Sequence, residues 1–153
     1  MEIIPVPELE AKDLMVSRKK NKWFVRQGPV TAAWGIYGVE YADKGRGEPV
    51  KFGASGELCF SAFDLEHFLL SVDSLIVRNQ LGANDIKRHL VTQSKEARQK
   101  IREILAAYAV FSNAHHQIDK KACQEAIKEC LTQSFTGYFL DLDHVTLTDI
   151  IDN

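Results

Sequence analysis

The chain has 153 residues, 45% hydrophobic and 26% charged, with a formal net charge of −2. A chain of this length fits one domain over residues 1–153 and buries about 69% of the surface it exposes when unfolded, so it needs neither disulfides nor a metal to hold a core. The composition excludes a disordered chain, the near-neutral balance excludes bulk charge as the selector of a partner, and Asp73 breaks the longest apolar region, so no membrane span is expected. Three cysteines (Cys59, Cys123, Cys130) have no CxxC spacing, and MEIIPVPELEAKD has no basic region followed by an apolar run. Together these point to a reducing, cytoplasmic setting.

Residues 1–6 read as a short extended lead. Pro7 suits a first helical position, with Glu8 and Glu10 favourable in the first turn, which predicts a helix to about Lys20 and then a short strand. The competing reading is a hairpin, DLMVS and KWFVR, turning at Arg18–Asn21. Glycine and proline punctuate residues 28–57, and AWGIYGVEY and PVKFG have β-type composition around the polar turn ADKGRGE. This predicts a hairpin of about 34–42 and 49–53, with Pro49 opening the second strand because it cannot donate to a ladder.

Phe60–Gln80 reads as the central helix. Leu65, Phe68, Leu69, Val72, Leu75 and Ile76 make one broad apolar face at helical spacing, while Phe63, Leu70 and Val77 recur every seven residues on the opposite side. Two apolar stripes predict a helix packed between two layers, with Leu70 and Val77 buried. Ser61 is the expected cap, with Asp64 three residues on and Phe60 and Leu65 as the staple.

Beyond Gly82, helical register runs from Ile86 to Tyr108, as one helix or as two with Ser94 as a fresh cap. Phe111–Ile118 reads as a loop. Asp119 caps a helix to about Gln133 whose apolar face holds Cys123 and Cys130, a placement that favours core packing over metal binding. Tyr138–Leu142 suggests a short strand, and Val145, Thr146 and Asp149 repeat the staple and cap pattern, predicting a final helical turn or two. The expected fold is α+β and predominantly helical, with four or five helices around the helix at 60–80 and a small antiparallel hairpin at about 34–53.

Chemistry-bearing motifs are sparse. GASGE at 53–57 has neither the dinucleotide nor the Walker pattern, and no GxSxG, HExxH or HxxxH is present. No cofactor or metal is expected, and no motif names a family. Asp141, Asp143 and His144, with His115 or His116, could serve a metal-dependent hydrolytic site. The basic surface is the leading candidate. Arg88, Lys95, Arg98 and Arg102 share one helical stripe, and Trp23 and Arg26 lie in a segment, 18–26, that holds five basic residues and no acid. These six residues predict a small non-enzymatic binding or regulatory protein that recognises an acidic protein surface. Nucleic acid is the alternative partner for the same residues, through phosphate contacts and base stacking on Trp23.

Overall fold

The computed structural model describes residues 2–42, 49–112 and 115–152. Its strands are β1 (Glu2–Val6), β2 (Leu14–Lys19), β3 (Lys22–Arg26), β4 (Val30–Ala42), β5 (Pro49–Ala62), β6 (Gln80–Gly82), β7 (Ala109–Ser112), β8 (His115–Ile118) and β9 (Leu140–Asp152). Its α-helices are α1 (Leu65–Ser71), α2 (Ala83–Lys87), α3 (Lys95–Tyr108) and α4 (Lys120–Thr136). The class is α+β, but strand outweighs helix, so the expectation of a predominantly helical chain with one small hairpin is overturned. A four-stranded sheet has the order β1-β3-β2-β6, a three-stranded sheet the order β4-β5-β9, and β7 pairs with β8.

The competing hairpin, not the helix, occupies the N-terminal region. Lys19 pairs with Lys22 around Lys20 and Asn21, whose φ angles of 51° and 66° are those of a two-residue primed turn. Leu14 to Ser17 are buried without alternation, because β2 is a central strand covered on both faces. The same turn recurs at Arg78 and Asn79, between the bridged residues Val77 and Gln80, and feeds β6 onto β2.

The expected hairpin at 34–53 is present and longer, pairing Val30 with Phe60 at one end and Ala42 with Pro49 at the other. Most of its turn, Asp43–Glu48, lies outside the described residues. Val30, Ala32, Trp34 and Ile36 alternate inward along β4 until an extra residue breaks the register between Ile36 and Val39. Gly38 makes that bulge with φ 67°, a conformation most side chains avoid.

The central helix is the largest correction. Phe60, Ser61 and Ala62 belong to β5, where they pair with Leu142, Asp141 and Leu140. The helix that follows has only seven residues, and its cap is Asp64, which accepts from the His67 backbone N–H at 3.1 Å. Ser61 instead donates its hydroxyl to the Asp143 carboxylate at 3.2 Å. A 3-10 turn, Asp73–Leu75, closes the segment. Phe68, Leu69 and Val72 are buried, whereas Phe63, Leu70 and Val77 are 52%, 58% and 67% exposed. The predicted two-layer packing therefore does not form.

Ser94 caps α3 and Asp119 caps α4, each accepting a backbone N–H three residues on. A π-helical turn, Arg88–Thr92, joins α2 to the segment before α3. The short strand expected at 138–142 continues as β9 in place of the final helical turns. Extra residues at Asp143 and Thr148 twice break its register against β5, which keeps Leu140, Leu142, Val145 and Leu147 all facing inward. Helix α4 packs on β9 and α3, and α3 on β4, so the inner face of the three-stranded sheet and these helices share one core. Phe60 meets Phe135 edge-on there at 5.3 Å. The Trp34 indole donates to the Thr146 carbonyl at 3.0 Å. Gly56 keeps β5 and β9 close, since a Cβ there would fall 1.8 Å from the Thr146 oxygen. Among the described residues no helix is long and apolar enough to cross a membrane.

Candidate binding surfaces

The six residues of the predicted basic surface divide into different roles. Trp23 and Arg26 lie on β3 in the four-stranded sheet, while Lys95, Arg98 and Arg102 lie on α3 and Arg88 on the π-helical turn before it. Trp23 is 9% exposed and the Arg18 guanidinium lies 5.3 Å from its ring centre, so the indole is not an open stacking platform. Arg102 donates to the carbonyls of Tyr37 and Gly38 at 2.8 and 3.3 Å, satisfying the oxygens of the β4 bulge. Arg88 pairs with Asp85 at 3.2 Å, and Arg26 donates to the Lys12 carbonyl at 2.7 Å. Lys95 and Arg98 remain exposed, their side chains with no hydrogen bond or ion pair among the described residues. Half of the stripe, Arg88 and Arg102, is thus taken up by internal contacts, which the helical spacing alone could not reveal.

The acid–histidine residues lie on the outer face of the three-stranded sheet. Asp141, Asp143 and His144 are exposed on β9, and the bulge at Asp143 turns it and His144 to the same side. Cys59 on β5 stands opposite His144, with Thr31 of β4 opposite Cys59. Sequence reading set Cys59 apart from this group, because only the strand pairing joins positions so distant in the chain. Its thiol is pushed up by partial burial and by the negative charges of Asp143 and Glu57, a direction that disfavours the nucleophilic thiolate. His115 and His116 belong to β8 rather than to a loop, and their side chains lie outside the described set. Among the described residues no three His, Cys, Asp or Glu side chains converge as a metal site would require.

Cys123 is fully buried on α4, as its helical position indicates, and burial followed by the Asp119 charge pushes its thiol up to about 11. Burial also pushes Cys130 up, against the opposing charge of Lys100.

Phe63, just before α1, and Leu70, on it, are large apolar side chains left in solvent. Phe63 and Leu70 flank His67 at helical spacing, and the Phe139 ring packs 5.9 Å from Phe63 and 5.1 Å from His67. Phe139 holds φ 61°, an outlier for a bulky side chain, and its carbonyl accepts the Phe63 N–H at 3.0 Å. His67 Nδ1 sits 2.8 Å from the Asp64 carboxylate, whose pKa is lowered first by the His67 backbone N–H and then by the ring. Glu66 and Asp73 are exposed with no ion pair among the described residues. No protein-family model matches the chain, and no curated protein matches it.

Proposed function

We propose that this chain is a non-enzymatic binding protein that docks a partner helix through the outer row of α1. The carrying observation is the exposure of Phe63, Leu70 and Val77, each more than half in solvent within fifteen residues. Exposed apolar side chains so close in sequence support a partner surface where they form one patch. The partner is amphipathic, with an apolar row to cover Phe63 and Leu70 and Lys or Arg at its margin facing Glu66 and Asp73. The strained Phe139 supports the reading, because backbone outliers persist where the surroundings hold them and cluster at functional sites.

A second reading keeps an acidic protein surface as the partner and rests on Lys95 and Arg98, the members of the basic stripe left unpaired. The two separate in one experiment. Phe63→Ser/Leu70→Ser and Lys95→Glu/Arg98→Glu are each used as bait beside the wild type, and partners are quantified and re-bound as purified proteins. Loss of a re-bound partner in the serine variant alone supports the α1 surface. Loss in the charge-reversed variant alone supports the second reading, and a partner retained by both belongs to neither surface.

A further inference from the structure

Beside Arg26, the last residue of β3, a cavity of about 390 Å³ is lined by Glu8, Lys12, Asp13, Arg26 and Thr31, among others. Its volume is within the range of small-molecule sites. Charges of both signs border it, yet among the described residues no ion pair joins Glu8 or Asp13 to Arg26 or Lys12. Arg26 is the most informative member. Its Nη1 is held by the Lys12 carbonyl at 2.7 Å, while its Nε is sealed from solvent with no acceptor. Nη2, on the same edge as Nε, also has no acceptor among the described residues. Buried donors left without an acceptor are rare in folded proteins. The Nε–Nη2 edge is the one that receives a carboxylate side-on, through two parallel hydrogen bonds.

We propose that this cavity binds a small zwitterion of the α-amino-acid class, its carboxylate on the free edge of Arg26 and its ammonium between Glu8 and Asp13. A simple anion entering the cavity would face two carboxylates, and a simple cation would face Arg26 and Lys12. A molecule carrying both charges a few bonds apart meets each with its opposite. The guanidinium pivots on its bond to Lys12 to present Nε, which then gains the acceptor it lacks.

The test is thermal unfolding of the full chain with each of the common free amino acids at about 10 mM, beside its N-acetyl and methyl-ester forms, which remove one charge each. A site filled to about a hundred times its Kd raises the midpoint by about 5–10 °C. The expected result is such a rise with at least one free amino acid and with neither blocked form. Arg26→Lys, which keeps the charge and loses the fork, should weaken binding about tenfold or more. Glu8→Gln keeps the test valid should the Arg26 variant fail to fold, because Glu8 is exposed and makes no bond among the described residues. It should also reduce the rise, and Lys121→Ala, at an exposed position of α4, should leave it unchanged. The proposal is overturned by no rise with any free amino acid, by an equal rise with the blocked forms, or by a full rise in the Glu8→Gln/Asp13→Asn double variant.

Discussion

Phe68, Leu69 and Val72 are buried against the core, whereas Phe63, Leu70 and Val77, drawn from the same short segment and equally apolar, are more than half exposed. Composition does not separate these two rows. What separates them is that α1 has seven residues and packs on one side, with no second layer to receive its other face. Apolar spacing records which side chains share a face, and it is silent on whether anything covers that face. An uncovered apolar row carries some risk of aggregation, and the proposed docking surface would remove that risk.

The sharpest way to break the contrast is truncation on each row. Phe68→Ala should lower unfolding stability by about 3–5 kcal/mol, the range for removing a fully buried phenylalanine. Leu70→Ala should stay within about 0.5 kcal/mol, as surface changes do. Denaturant titration of both variants decides it. A loss of several kcal/mol at Leu70 would mean that the outer row is covered within the monomer in solution, and the proposed docking surface would go with it.

Thiol labelling gives a second, independent reading of the same division. Cys123 is fully buried with its thiol raised to about 11, so it should react only when the chain opens, while the partly exposed Cys59 reacts from the folded state. In that regime Phe68→Ala should speed Cys123 labelling by about two hundred- to five thousand-fold, following the stability lost. Leu70→Ala should leave the rate nearly unchanged. Equal acceleration by both variants would erase the distinction between the rows.

Local chemistry was legible where a side chain reports on its own helix. Ser94 and Asp119 mark real caps, and the alternation Val30, Ala32, Trp34, Ile36 is visible in the chain itself. Pairing between distant strands was not legible. Ser61 looks like a cap until β9 claims its backbone and Asp143 its hydroxyl. The period of β9 is broken by its own bulges, so Val145, Thr146 and Asp149 imitate a helix start. The primed turns at Lys20–Asn21 and Arg78–Asn79 lack the glycine that usually announces them. The basic stripe has helical spacing, yet the bulge at Gly38 takes Arg102 and Asp85 takes Arg88. The cavity at Arg26 joins three stretches of chain and had no signature beyond a basic residue of β3.

The smallest expected effect concerns what fixes the phase of the two rows. Asp64 starts α1 by accepting the His67 backbone N–H, and this bond together with the ring of His67 lowers the carboxyl below its ordinary value of 3.8. A lowered folded pKa contributes stability that is present above the unfolded value and is lost as pH falls through the folded one. The window therefore lies below about pH 4, where the charged cap gives way to a weaker neutral one. Asp64→Ser retains a capping oxygen without a titrating charge. Wild type should melt slightly above this variant at pH 7, and the gap should narrow by pH 3, because the other carboxyls titrate alike in both proteins and cancel in the difference. A gap that persists unchanged to pH 3 would mean that the ionised Asp64 does not set the start of α1.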